Sequence, residues 1–248
     1  MSARPRIPFH FQAQAHAFSG SFQRPIVCPI EAQAATSLPT IGGHAYSRVE
    51  NFCAVHLVRF AVAHCHVSGS WQDDEVVTTH STAAIEGLNI LDFVTADRIV
   101  AHLTSELHRG EVEGHIVALG STFDGLKIGG HDVKVTLRHD LLLECKDFDS
   151  LRKRVAKDKK PGKISATTDG VALCSLVEEI KTDLPGLEKR GHILRIPHFG
   201  EIAVAEVFAA FGTLTLTMLR LKLGSPTSGT ATVTECLING LPSPPIGG

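Results

Sequence analysis

Fourteen of the 248 residues are histidine, and the most suggestive of them cluster in one stretch. In His64-Cys65-His66 two imidazoles are separated by a single residue, and residues two apart on a β-strand project from the same face. His80 or His102 would approach them from the neighbouring unit of a repeat. Three nitrogen ligands with a fourth position open to water are the arrangement of catalytic zinc. The metal reading therefore takes His64, His66, His80 and His102 as ligand candidates, with a transition ion such as zinc as cofactor. The competing reading needs no cofactor: His44 aligns with His80 and His66 with His102, as in a ladder that merely stacks along the repeat.

Other constellations are weaker. His192, His198 and Glu201 surround a turn but match no metalloenzyme spacing, so a structural histidine is the better account. The basic run Arg152-Lys153-Arg154, Lys157, Lys159-Lys160 and Lys163 has the charge for phosphate contacts, yet no aromatic residue is interleaved in it. It reads as a solvated helix face. Ile41-Gly42-Gly43-His44 and Gly125-Leu126-Lys127-Ile128-Gly129-Gly130 open no helix, so they lack the terminus that would hold an anion and read as turns. No Ser/His/Asp or Cys/His signature identifies a reaction. Cys28, Cys53, Cys65, Cys145, Cys174 and Cys236 form no CxxC pair and suit reduced thiols in a core.

Positioning such residues requires a scaffold, and the scaffold repeats. Laying His44 on His80 places Val49-Glu50-Asn51-Phe52 on Ile85-Glu86-Gly87-Leu88 and His66-Val67-Ser68 on His102-Leu103-Thr104, an offset of 36 residues. At an offset of 38, Phe123-Asp124-Gly125-Leu126-Lys127-Ile128 repeats Ile85 to Ile90. A fixed period signals supersecondary units that complete one another's cores. Thr95 could cap a helix with Ala96, Ile99, Val100, Leu103 and Leu107 on one face. The aligned run Val55, Leu57, Val58, Phe60, Val62 and Val67 is β-branched and aromatic, however, so both copies are read as strands. Gly69 and Asp73-Asp74-Glu75 are assigned to the turn between copies. Gly87 and Gly125 mark bulges, with Asn51 tolerating the left-handed region at the equivalent place.

The rest of the chain fits an all-β domain. Phe9, Phe11, Ala13 and Ala15 alternate with polar residues, Ser19-Gly20-Ser21 reads as a turn, and the prolines of 23–40 suggest irregular structure or short edge strands. Asp132 to Leu137 alternates as a strand. Asp147 can cap a helix bearing Phe148, Leu151 and Val155, stopped by Pro161-Gly162. The spacing of Val171, Leu173, Leu176, Val177 and Ile180 admits a short helix or a bulged strand. His192 to Ile196 and Thr213 to Leu223 read as strands, the latter alternating until Met218-Leu219, and the Pro- and Gly-rich tail 241–248 reads as flexible.

Composition sets limits. Apolar residues at 43% and charged residues at 20% describe a globular chain, and a net charge of −2 gives no general reason to bind nucleic acid. The histidines could add much positive charge between about pH 7 and 5, given an ordinary pKa of about 6.5. After Met1-Ser2-Ala3-Arg4-Pro5-Arg6 no apolar signal-peptide core forms, and no window approaches a membrane span. A cytoplasmic protein is the default expectation.

Thr78 to Thr104, with Ile85-Glu86-Gly87-Leu88-Asn89-Ile90 and Val94-Thr95-Ala96-Asp97, resembles the bacterial surface proteins grouped as choice-of-anchor P. So does Gly120 to Gly130, and Ile196-Pro197-His198-Phe199-Gly200-Glu201-Ile202 with Thr213 to Leu223 is similar to that family's closing region. The resemblance covers roughly residues 44–137 and 192–240. It implies a β-rich exported protein at the cell surface with no assigned catalytic residues.

The sequence therefore predicts one β-rich domain over 1–248, built of stacked units of 36 residues as a solenoid or a sandwich, with a small helical, basic insertion at 147–181. The leading expectation is a structural or interaction protein that self-associates or binds a protein partner through open strand edges. The alternative is a metal-binding protein or metal-dependent enzyme.

Overall fold

Alternating apolar residues separated by short polar turns give the repeat region its strands. The computed structural model describes residues 9–72, 74–157, 166–168 and 170–240, and these are mostly antiparallel β-structure. Strands β1 (Ala13–Arg24), β2 (Cys28–Gln33) and β3 (Thr36–Ser37) precede the repeats. The repeats are β4 (Gly43–Ala54), β5 (Val58–Gln72), β6 (Val76–Ile90) and β7 (Val94–His108). Short strands β8 (His115–Val117), β9 (Thr122–Asp124), β10 (Lys127–Ile128), β11 (His131–Asp132) and β12 (Lys134–Leu137) lead to helices α1 (Asp140–Glu144) and α2 (Phe148–Lys157). There follow β13 (Ala166–Thr168), β14 (Val171–Ser175), β15 (Val177–Lys181), β16 (Glu188–Arg190), β17 (Ile193–Ile196), β18 (Gly200–Ala210), β19 (Thr213–Leu223) and β20 (Ser228–Asn239).

Two sheets result. The meander sheet has the order β11-β10-β7-β6-β5-β4, with β8 and β9 also on β7. The terminal sheet has the order β13-β14-β18-β19-β20-β1-β2, with β17 also on β18. They face each other across one apolar cluster, β1 and β20 lying over β5, β6 and β7. Ser81 Oγ on β6 donates to the carbonyl of Gln14 on β1 at 2.9 Å, and Cys236 Sγ on β20 lies 3.5 Å from the carbonyl of Ala101 on β7. Such short side chains span the gap only because the sheets approach more closely than the roughly 10 Å usual for facing sheets. Small buried residues permit this: Ala15, Ala83 and Ala101 lie along the seam.

Strands β5, β6 and β7 each hold 15 residues and begin at Val58, Val76 and Val94. The 36-residue offset is thus two strands of a meander with their turns. The segment at offset 38 lies across β7 from the segment it resembles: Ile99 pairs with both Ile85 and Phe123, and Val94 with both Ile90 and Ile128. Asn51, Gly87 and Gly125 all have positive φ, at 53°, 64° and 60°. Along that transverse row the inward-facing set changes parity, from Val58 and Phe60 to Ala63, Cys65 and Val67 on β5, and from Ala83 and Ile85 to Leu88 and Ile90 on β6. The terminal sheet has a matching row. Its inward leucines pass from Leu214 and Leu216 to Leu219, Leu221 and Leu223, and the flanking strands carry Ala205 (φ 48°) and Thr234 (φ 44°).

Three expectations are corrected. Ser19-Gly20-Ser21 is not a turn but lies inside β1, paired with both β20 and β2, with a register shift between Phe18 and Gly20 toward β2. Gly69 lies inside β5, where the Phe11 ring occupies the space a Cβ would need, and only 74–75 of the described residues turn there. Among the described residues the helical insertion expected over 147–181 is confined to α2, preceded by α1, because 171–181 forms β14 and β15, whose ladders with β18 and β12 decide between two conformations that apolar spacing alone permits. Asp147 caps α2 as expected: its Oδ1 accepts from Ser150 N at 2.7 Å. Residues 1–8, Asp73, the 158–163 part of the basic run with Pro161-Gly162, and the tail 241–248 lie outside the described residues. No described helix is long and apolar enough to cross a membrane.

Candidate binding face

Because Cys65 points into the core, His64 and His66 point outward, and the outer face of the meander sheet collects most of the predicted ligands. Cross-strand register fixes their neighbours. Tyr46, His66, Thr82 and His102 form one row, and His44, Ser68, His80 and Thr104 the next. Arg48, His64, Ala84 and Val100 form the row on the other side. All four candidate histidines are half-buried rather than sunk in the core.

Hydroxyls tie two of them together. His102 Nδ1 lies 2.8 Å from Thr82 Oγ1, and its Nε2 lies 3.1 Å from Thr104 Oγ1. The same Thr104 hydroxyl is 3.0 Å from His80 Nδ1, and the His80 and His102 rings stack with centroids 6.2 Å apart. A neutral imidazole offers one donor and one acceptor, which two rotatable hydroxyls can match in either tautomer. Burial lowers the pKa of His102, and the nearby His80 adds to this. Burial also lowers the pKa of His80, against the pull of Glu106 and with help from His66, and burial lowers that of His64. These three rings are thus neutral at pH 7, the state in which a ring nitrogen can bind a metal. Even so, among the described residues no group of three or more His, Cys, Asp or Glu side chains converges as a metal site.

The second set does not assemble. His192 is buried and its Nε2 lies 3.2 Å from Glu206 Oε1, Glu201 pairs with Arg195 at 2.7 Å, and His198 occupies the turn at φ 61°. Glu206 also receives two bonds from Arg220, Nε to Oε2 at 2.6 Å and Nη2 to Oε1 at 2.8 Å. Burial by itself would raise the Glu206 carboxyl, but His192 and Arg220 outweigh it and hold the pKa at about 2. The six cysteines are free, and burial pushes Cys236 up to about 12 and Cys65 up as well, so these two thiols are inert. In the basic run Arg152 pairs with Asp149 and Arg154 with Glu144, both partly exposed.

Sequence reasoning missed the hydroxyl partners and the Glu206–Arg220 pair. His80-Ser81-Thr82 and His102-Leu103-Thr104 carry a readable signal, a histidine and a threonine two apart on one strand face.

Fold and face together define an all-β protein of two packed antiparallel sheets, one presenting a histidine- and threonine-bearing open surface. The model of a family described as Domain of unknown function (DUF8256) matches residues 9–161 and 143–210. The chain belongs to this family. No curated protein and no solved structure matches it.

Proposed function

We propose that this chain is a structural interaction module that self-associates edge to edge, its hairpin repeat serving to build a long sheet with one open side. The observation that carries this reading is β4, which ends the meander sheet and, among the described residues, has a ladder only with β5. Unpaired edges of this length template pairing with another chain unless blocked, and Gly43–Ala54 contains neither proline nor lysine.

The sequence of β4 is self-complementary. In an antiparallel pair of two copies centred on Ser47, His44 faces a second copy's Glu50, and Tyr46 faces its Arg48 on the outer side. Ala45 faces Val49 on the inner side. Tyr46 is 55% exposed, and an Arg over its ring contributes about 0.5–1 kcal/mol. The kink at Asn51 ends the straight segment just beyond Glu50, so the seven residues 44–50 form the whole contact. Such pairing is isologous and closes as a dimer.

Sedimentation velocity on the full chain tests the proposal. The expected result is a dimer at micromolar concentration, and Val49→Lys, which places a charge on the half-buried inner side of the edge, gives a folded monomer. A wild-type protein that stays monomeric at about a hundred micromolar, well above typical weak-dimer affinities, sinks it.

A further inference from the structure

His66 has an unusual set of neighbours. His64 precedes it by two residues on the same face, His44 stands diagonally across on β4, and His80 stands diagonally across on β6. Diagonal neighbours on one sheet face lie within about 7–8 Å, close enough for two imidazoles to reach a common ion. Among the described residues no hydrogen bond holds the His66 ring. His80, by contrast, is oriented: Thr104 Oγ1 occupies its Nδ1 at 3.0 Å, which directs Nε2 away from that partner. His102 is the least available of the group, because hydroxyls engage both of its nitrogens.

We propose that His66 and His80 form a two-imidazole site for a borderline divalent transition-metal ion, with water completing the coordination. The two-ligand form is what the face supports, since among the described residues no three such side chains converge. Thr104 acts as the outer partner that fixes the His80 ring, the role a hydrogen-bonded neighbour plays for most ligating histidines. Nitrogen ligands bind Cu2+ more tightly than Zn2+ along the Irving–Williams order, so copper is the sensitive probe. His102 stacks on His80 but does not ligate.

The test is titration of Cu2+ into the full chain at pH 7.5 by calorimetry, with electron paramagnetic resonance on the one-to-one sample. One saturable site is expected, with hyperfine structure from two imidazole nitrogens. His66→Ala and His80→Ala each abolish it, His66→Gln does the same without removing side-chain bulk, and His102→Ala retains it. Thr104→Val weakens binding by about tenfold, as loss of an outer-sphere partner does. Binding that survives both His66→Ala and His80→Ala places copper on other surface histidines and overturns the proposal. Absence of a saturable site in the wild type, with unchanged circular dichroism, overturns it equally.

Discussion

In the meander sheet the residues that leave the ordinary extended region at the transverse kink are Asn51, Gly87 and Gly125, whereas in the terminal sheet they are Ala205 and Thr234. Both rows switch which side chains face the core, and in both the positive φ falls on alternate strands. The rows beside them differ more. Next to the meander kink stand Glu50, Val62, Glu86, Arg98 and Asp124, where Arg98 and Glu86 are about half exposed and 3.5 Å apart. Next to the terminal kink stand His16, Glu235, Thr217 and Glu206, where Thr217 Oγ1 donates to Glu235 at 2.7 Å and Glu206 is buried against His192 and Arg220. Ser175 Oγ adds a bond to the carbonyl of Val204, and Leu176 N one to that of Ala205. One sheet thus meets the backbone demand mainly with glycine, and the other meets it with ordinary residues flanked by a partly buried polar network.

The largest effect should come from putting a terminal-sheet solution into the meander. Gly87 has φ 64°, and a Cβ there would sit 3.1 Å from the Ala61 Cβ. A side chain in the left-handed region costs roughly 1–2 kcal/mol, a β-branched one is an outlier there, and the exposed Ala61 methyl must give way, so Gly87→Thr should destabilise by about 2–3 kcal/mol in urea unfolding. Gly87→Asn should cost less, since asparagine stands at the equivalent position 51. Equal losses for the two variants would remove left-handed preference from the explanation.

Next comes the network itself. Glu206→Gln leaves Arg220 and His192 facing a neutral amide, and the loss should be about 2 kcal/mol. That is less than for a fully buried pair, because Arg220 is half exposed. The pH dependence has a definite sign. With the folded carboxyl at about 2 and the ordinary value at 4.5, the contribution is complete above pH 4.5 and is lost as pH falls from there toward 2. The stability gap between wild type and Glu206→Gln should therefore be constant from pH 7 to 5 and narrow below 4.5. A gap that persists unchanged at pH 3 would mean that packing, rather than charge, carries the effect.

The meander kink was legible because its solution is written in residue types: Gly87 and Gly125 align, and Asn51 is the non-glycine that best tolerates the same region. The terminal kink left only a trace, the break in leucine alternation at Met218-Leu219, since neither Ala205 nor Thr234 advertises a positive φ. Gly69 was misread for a related reason. It is required by the Phe11 ring, and contacts between distant segments are invisible to local turn rules. The same holds for the face: one-strand alternation brings His64 and His66 together, but Thr82 and Thr104 become partners only through cross-strand register, as Glu206 and Arg220 do. The strands at 171–181 were undecidable locally because their apolar spacing fits either conformation and only the neighbouring ladders choose.

The smallest predicted effect is the most diagnostic for the comparison, because it should have the opposite sign. Thr234 is fully buried, β-branched and left-handed, and its hydroxyl finds no hydrogen-bond partner among the described residues. The left-handed region costs roughly 1–2 kcal/mol and a buried unpaired hydroxyl roughly 1–3. Against these, glycine forfeits roughly 0.5–1 kcal/mol of chain entropy and about 0.8 for each buried methyl-sized group removed. Thr234→Gly should then stabilise by about 1 kcal/mol, raising Tm by roughly 2–4 °C for a chain of this size. Thr234→Ala, which removes the hydroxyl and the γ-methyl but keeps the Cβ, should recover only the polar part, less about 0.8 kcal/mol for the buried methyl. If Ala stabilises as much as Gly, the unpaired hydroxyl is the whole cost and the backbone at 234 is relaxed. If Gly instead destabilises while Ala is neutral, the polar row beside the kink already offsets the strain, and the two sheets are equally comfortable with their different residues.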